Sequence, residues 1–279
     1  MKRVLITGKK SYIGNSLVTW LERYPERYVT ELISLRTNSW REKDFSQYDV
    51  VIHVAGIAHI KETKKNSYLY YKVNRDLAYE VAKKAKQSGV KQFIFFSSMS
   101  VYGMDEGIIK GNTLVNPKSN YGKSKLEAEK LIQNLTTNSF LVAIIRPPMV
   151  YGYGCKGNYQ SLSKVARKMF VFPYINNRRS MIFINNLTEF VKLLIDDYGK
   201  GTFFPQNKEY VCTSELVQLI AKTHGKKVIL TKIFNVFLKS ANLQIIKKVF
   251  GDLVYDQGLS SYNGYEPISL QKSIELTEQ

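Results

Sequence analysis

The sequence predicts an α/β fold built on a doubly wound parallel sheet, and three observations carry that prediction. Short β-rich apolar runs alternate with helical patterns through the first half of the chain, the order that builds a parallel sheet covered on both faces. A glycine-bearing turn, Gly8 to Gly14, stands between the first such run and the first helical pattern. Hydroxyl residues, Ser97 and Ser98, directly follow a later run, at the strand end where open α/β sheets bind ligands.

Residues 4–7 read as the first strand. Ile13, Leu17 and Leu21 then recur at helical spacing, and Pro25 helps to stop that helix. Residues 32–35 and 50–54 follow as strands. Val73, Leu77 and Val81 step by four, which predicts a helix ended by Gly89. The next strand covers 93–96, the next helix about 120–135, and the strand after it 140–145, ended by Pro147 and Pro148. Beyond Tyr151 the alternation loosens into helices near 162–169, 187–195 and 214–223, which predicts a smaller C-terminal lobe.

At 279 residues the chain can bury a large core without disulfides or metals. Its two cysteines, Cys155 and Cys212, form no disulfide framework and no Cys-x-x-Cys zinc cradle, which fits a reducing compartment. The longest wholly apolar run, 140–145, is far too short to cross a bilayer, so no transmembrane segment is expected and the location expected is cytoplasmic. The net charge of +18 suits polyanionic company. Its lysines are scattered as a solvated surface, without the aromatic-interleaved basic stripe of a nucleic-acid binder, so no nucleic-acid partner is expected. The stretch 236–249 mixes apolar residues with Lys239, Lys247 and Lys248. It reads as packing on its own lobe, with membrane-surface association as the alternative. His53 and His59 lack the spacing of a metal site, and no metal is expected; His53 reads as a strand-end packing residue.

The Gly8 to Gly14 turn follows a strand and opens a helix, where backbone N–H groups and the helix dipole hold a dinucleotide pyrophosphate. Gly8 suits the tight turn and Gly14 the close helix-to-strand packing. The middle position, usually glycine, is Ser11, whose N–H and hydroxyl can still donate to a phosphate. At the end of the second strand stands Arg36, with no carboxylate to accept ribose hydroxyls. An arginine fork suits the extra phosphate of NADPH, which makes NADPH the expected cofactor and NAD the second choice. Tyr121 and Lys125 lie four apart, on one helix face. A phenol with a pKa of about 10 is a sluggish acid or base at neutral pH, and a neighbouring ammonium is expected to bring it toward the working range. Ser98 stands ready to hydrogen-bond the reacting oxygen. Cys155, close behind Tyr151 and Gly152, reads as a small buried side chain, with contact to a substrate or action as an acid as the alternative.

These motifs, with Val51-Ile52-His53-Val54-Ala55-Gly56, Val73-Asn74 and Arg146-Pro147-Pro148-Met149-Val150-Tyr151-Gly152, resemble the extended short-chain dehydrogenase, or NAD-dependent epimerase/dehydratase, family over nearly the whole chain. The resemblance implies a Rossmann-type domain over 1–155, to which about 180–205 return, and a mainly substrate-binding lobe over 156–279. It makes Ser98, Tyr121 and Lys125 the catalytic triad. It implies cofactor contacts at Gly8, Ser11, Tyr12, Ile13, Gly14, Arg36, Ala55, Gly56, Asn74, Tyr121, Lys125, Pro148 and Val150. Substrate contacts are implied at Ser98, Ser100, Tyr121, Asn158 and Arg179, with a UDP-sugar as substrate. It further implies a homodimer through the helices containing Leu77 and Leu126.

Family dehydratases carry acids directly after the catalytic hydroxyl, whereas Met99 and Ser100 stand there in this chain, so dehydration is not expected. The likeness over 145–158 and 175–186 is to capsule and O-antigen reductases, and it implies NADPH-dependent reduction at C4 of a UDP-4-keto-6-deoxy-N-acetylhexosamine. The alternatives are a UDP-glucose or UDP-N-acetylglucosamine 4-epimerase with tightly bound NAD, and a non-catalytic nucleotide-sensing binder.

Overall fold

The computed structural model describes residues 1–58, 62–63, 65–233, 235 and 249–279; His59 and the lysine-bearing stretch 236–248 lie outside them. In chain order the N-terminal elements are β1 (Lys2–Thr7), α1 (Tyr12–Leu21), β2 (Tyr28–Ile33), β3 (Val50–His53), α2 (Ser67–Tyr70), α3 (Leu77–Gln87), β4 (Gln92–Phe96), β5 (Gly107–Ile109), α4 (Asn120–Gln133) and β6 (Leu141–Ile145). There follow β7 (Met149–Tyr151), α5 (Asn158–Lys168), β8 (Val171–Pro173), β9 (Met181–Phe183), α6 (Ile184–Asp196), β10 (Gly201–Phe203), α7 (Thr213–Thr223), β11 (Ile229–Thr231), β12 (Leu253–Tyr255) and α8 (Leu270–Thr277).

Six strands form one parallel sheet in the order β10-β6-β4-β3-β1-β2. Both faces are buried, and the period of two along each strand assigns side chains to two cores. Val4, Ile6, Val50, Ile52, Ile94, Phe96, Ala143 and Ile145 join the core that includes Leu17 and Leu21 of α1 and Leu187, Val191 and Leu194 of α6. Leu5, Val51, Phe93, Phe95, Val142 and Ile144 join the core under α3 and α4, with Ala78, Val81, Ala128 and Ile132. This is the α/β fold the alternation predicts.

From β1 the chain moves to β2 on one side and then places β3 on the other side of β1. That reversal opens a crevice at the carboxyl ends of β1 and β3, the general location of ligands in open α/β sheets. β10 lies at the opposite edge beside β6, so the segment after β9 runs back to the main sheet. The remaining strands form three two-stranded pairs, β5 with β12, β7 with β9 and β8 with β11.

Two expected elements move. The second strand, expected over 32–35, is β2, Tyr28–Ile33, because its register is set by β1, from Lys2 opposite Tyr28 to Thr7 opposite Ile33. Thr30 and Glu31 hide that strand from an apolar search. The helix expected from Val73 begins as α3 only at Leu77, since Tyr71–Asp76 is a wide π-helical turn. Such widened turns occur frequently at functional sites.

Candidate active site

The turn after β1 is shaped for close approach. Gly8 has φ +98°, and a Cβ there would stand 3.2 Å from the Ala55 amide nitrogen at the end of β3. Gly14 is buried, and a Cβ there would meet Val54 Cγ2 at 3.1 Å, so α1 rests directly on β3. Ser11 is the N-cap of α1: its hydroxyl accepts from the Gly14 amide at 3.3 Å, and its own amide donates to Gly8 O at 2.7 Å. The N–H of Ser11, expected to reach a phosphate, is thereby spent inside the turn, while the hydroxyl proton stays available. The first-turn amides of Tyr12 and Ile13 have no intrahelical acceptor, and no acidic residue lies in that turn. The Tyr12 hydroxyl is buried without a described hydrogen-bond partner. A positive-φ glycine, free amides at a helix start and a crevice at the chain reversal fit a nicotinamide dinucleotide.

At the end of β4, Ser98 opens a 3₁₀ turn over Met99–Tyr102, accepting from the Ser100 amide and donating to Ser100 Oγ, each at 3.1 Å. Ser119 caps α4, which brings Tyr121 and Lys125 up behind this turn. Gly122 makes the approach possible: a Cβ there would lie 2.6 Å from Ser100 O and 2.9 Å from Pro117 Cβ. The Tyr121 phenol lies near Ser98, and the ring of Tyr70 packs against it edge-on at 6.4 Å.

The electrostatics correct one expectation. Burial pushes the Tyr121 phenol above its ordinary pKa, and the nearby Ser98 hydroxyl only partly offsets this. Lys125 does not pull it down. The Lys125 ammonium is itself buried, donates to Phe96 O at 2.7 Å and lies 4.8 Å from the Phe95 ring centre. Desolvation lowers its pKa to about 8, against the opposing pull of Glu129 one turn further along α4. The spacing of four places both residues on one face, but the ammonium is aimed into the strand end.

Asn74 is fully buried in the wide turn. Its amide accepts from Ile57 N at 2.7 Å and donates to Ile57 O at 3.0 Å and Ser124 Oγ at 3.2 Å, fastening the loop after β3 to α4. A Cβ on Gly56 would stand 3.0 Å from Asn74 Oδ1 and 3.3 Å from Lys125 Nζ. Asn74 thus sets the wall of the crevice.

Sequence reasoning missed Glu129, and it named Arg146 only as part of a matching motif, without a role. Arg146, just after β6, forks onto Glu129 at 3.0 and 2.6 Å and donates to the Tyr102 hydroxyl at 2.9 Å, in an ion pair whose side chains are 12% and 2% exposed. It ties α4 to the serine turn from below. The available signal was Glu129 at spacing four from Lys125 and eight from Tyr121, which puts all three on one helix face.

Arg36 is exposed just past β2, and no carboxylate occurs from Ser34 to Arg41. Pro148 is buried and Val150 half-buried in β7, while Pro147 O accepts the Met99 amide at 3.0 Å and braces the serine turn. Ser100 is exposed. Asn158 is exposed at the start of α5. Arg179 is half-buried, with its backbone bridged to Val211 and Leu253 and its guanidinium on Gly251 O at 3.0 Å. No described contact joins either residue to Ser98, Tyr121 or Lys125. His53 is fully buried between the Phe93 and Phe95 rings with Nδ1 3.1 Å from Thr7 Oγ1, and desolvation drops its pKa to about 3. Cys155 is buried in the core with α1 and α6. Beside the serine turn an open cavity of about 690 Å³ is lined by Tyr102, Gly103, Met104, Leu114, Asn116 and other residues of the same segment. Among the described residues no group of His, Cys, Asp and Glu could hold a metal ion, and no helix is long and apolar enough to cross a membrane.

Residues 4–212, which contain the crevice, the serine turn and α4, match the sequence profile of the NAD dependent epimerase/dehydratase family. The chain belongs to this family. It is 33% identical over 248 residues to a UDP-glucose 4-epimerase of Vibrio cholerae, a match covering 79% of this chain and 75% of that protein. It is 28% identical over 246 residues to an N-acetyl-alpha-D-glucosaminyl-diphospho-ditrans,octacis-undecaprenol 4-epimerase of Escherichia coli O157:H7, covering 81% and 73%. In fold it is similar to a UDP-glucuronic acid 4-epimerase of Bacillus cereus in complex with NAD (TM-score 0.76, 19% identity, 99% and 97% covered). A dTDP-4-dehydrorhamnose reductase of Clostridium acetobutylicum is comparable (TM-score 0.75, 19% identity, 99% and 98% covered). As a member of this family the chain is an NAD(P)-dependent enzyme of nucleotide-sugar chemistry.

Proposed function

We propose that the protein reduces the C4 keto group of a UDP-4-keto-6-deoxy-N-acetylhexosamine with NADPH, giving UDP-N-acetylquinovosamine or UDP-N-acetylfucosamine for a surface polysaccharide. The observation that carries this reading is the state of Tyr121. A tyrosine already holds the acid form at neutral pH, and burial beside Ser98 at the end of β4 pushes its pKa further up. A protonated phenol gives a proton to a carbonyl oxygen that is becoming an alkoxide, whereas starting from an alcohol needs a base. Ser98 hydrogen-bonds the same oxygen and polarises it. Lys125 holds positive charge beneath the pair and orients a bound ribose. NADPH, when bound, supplies the hydride, and Arg36 at the end of β2 favours its additional phosphate over the ribose hydroxyls of NAD. Met99 and Ser100 offer no acid or base for elimination of water, which weighs against dehydration. Asn158 and Arg179 are assigned to the nucleotide diphosphate, and α3 and α4, bearing Leu77 and Leu126, to a homodimer contact.

The test is a purified-protein assay with NADPH and the 4-keto sugar, followed at 340 nm. The expected result is stoichiometric NADPH oxidation, abolished by Tyr121→Phe. The similarity to the Vibrio cholerae relative favours one second reading, 4-epimerisation of UDP-glucose or UDP-N-acetylglucosamine with tightly held NAD. Co-purification of one NAD per chain, with no NADPH consumption, would replace the first reading by the second.

A further inference from the structure

We propose that the β8/β11 sheet and its flanking turns form a docking surface for an anionic phospholipid bilayer. This inference is independent of the sugar chemistry assigned above.

In the parallel pair, Val171 stands opposite Ile229 and Phe172 opposite Leu230. The strand period of two therefore puts Phe172 and Leu230 on one face and Val171 and Ile229 on the other. The first face packs inward: Phe172 is 6% exposed and lies 5.8 Å from the Phe250 ring. The second face points outward and carries Val171, Pro173 and Ile229 with Thr231 as its one polar member, where a solvated strand face is ordinarily more polar. Ile229 is 58% exposed, and beyond the strand ends Phe170 is 78% and Ile233 75% exposed. Met169 is exposed as well. The Ile229 amide donates to Phe170 O at 2.9 Å and Lys226 Nζ to Arg167 O at 2.5 Å, so the turns entering the two strands are held side by side. Large apolar side chains are thereby concentrated on one sheet and its ends.

The charge distribution identifies the occupant. Residues 156–188 and 216–233, which contain both strands, hold ten Lys and Arg and not one Asp or Glu. Arg167 and Lys168 immediately precede Met169, Lys226 and Lys227 precede Val228 and Ile229, and Lys232 separates β11 from Ile233; all five are exposed. An apolar sheet face with apolar residues at both of its ends, flanked by long basic side chains, matches a bilayer with anionic headgroups, in which apolar groups enter the interface and ammonium groups reach phosphates. A second copy meeting this face through a two-fold axis would set like charges opposite each other. A nucleic acid would satisfy the charges but leave Val171, Ile229 and Ile233 without a role.

The experiment is flotation of the full chain with vesicles of phosphatidylcholine and phosphatidylglycerol (about 7:3) and with phosphatidylcholine alone, at 0.1 M salt. Binding is expected to the mixed vesicles only and to weaken with salt. Phe170→Ser with Ile233→Ser should lower partitioning by about tenfold, and Lys226→Glu with Lys227→Glu by about twentyfold or more. Melting curves and light scattering on each variant distinguish lost docking from lost folding or altered oligomeric state. Absence of binding to the mixed vesicles overturns the proposal. So does binding that Phe170→Ser with Ile233→Ser leaves unchanged, which is charge attraction shared with any polyanion, including nucleic acid. Self-association abolished by the same pair, with no vesicle binding, assigns the face to a second copy instead.

Discussion

Lys125→Met offers a direct measure of the electrostatic strain built into the centre. The folded chain holds the Lys125 pKa at about 8 against 10.5 for the free side chain. Each pKa unit corresponds to about 1.4 kcal/mol, so keeping the ammonium in place at pH 7 costs about 3 kcal/mol of folding free energy. Methionine removes that cost and leaves Phe96 O without its donor, a loss of about 1–3 kcal/mol. Near pH 7 the variant should therefore equal or exceed the native chain in stability. The sign of the pH dependence follows from proton counts. Between pH 8 and 10.5 the unfolded lysine binds a proton that the folded one has released, so raising the pH strips protons from the unfolded state and relieves the native chain. Its stability should gain about 2.5 kcal/mol on Lys125→Met between pH 7 and pH 10, while other surface titrations cancel between the two. Urea unfolding at both pH values, followed by circular dichroism on dinucleotide-free protein, reads this double difference. A difference between native and variant that stays constant to within about 0.5 kcal/mol would falsify the claim that Lys125 is a strained, desolvated ammonium.

The other predictions concern how the site is held together and which dinucleotide it takes. Gly122→Ala puts a methyl group 2.6 Å from Ser100 O, so α4 must retreat from the serine turn. Stability should fall by about 1–3 kcal/mol, and turnover should fall further than the melting curve explains. Glu129→Gln leaves a buried arginine without its carboxylate and should cost about 3–5 kcal/mol in urea unfolding. Glu129→Gln combined with Arg146→Met should cost much less than the two single losses together; a loss equal to their sum would mean the pair is not coupled. Arg36→Asp should weaken NADPH binding by about tenfold or more while improving NAD binding, measured by nucleotide titration of the purified protein. An unchanged preference would show that Arg36 does not meet the phosphate.

The elements legible in the sequence are those whose signal is local. Val4-Leu5-Ile6 and Phe93-Ile94-Phe95-Phe96 announce strands because both faces of the sheet are buried, and every position must then be apolar. Tyr121 and Lys125 share a face because helical geometry leaves no other arrangement. β2 was harder to place, since Thr30 and Glu31 sit in a strand whose register β1 dictates. The three-residue strands β5, β7, β8, β9, β10, β11 and β12 are too short for any period to show, and each exists because a partner distant in sequence pairs with it. Asn74 illustrates the same limit within the site. Its identity suggests a polar contact, but its bonds to Ile57 and Ser124 depend on two segments that only folding brings together.

The sequence by itself determined the sheet, the glycine turn from Gly8 to Gly14, the lysine-rich surface and the pairing of Tyr121 with Lys125 on one helix face, because each follows from spacing along the chain. Only the tertiary structure decided how that pair is charged. Desolvation depends on what surrounds a group in space, and it raises the Tyr121 pKa and lowers that of Lys125 where the spacing alone suggests an ammonium activating a phenolate. The same dependence on assembled neighbours turned scattered lysines and isolated apolar residues into one basic-rimmed face at β8 and β11. Composition counts charges, and only folding places them.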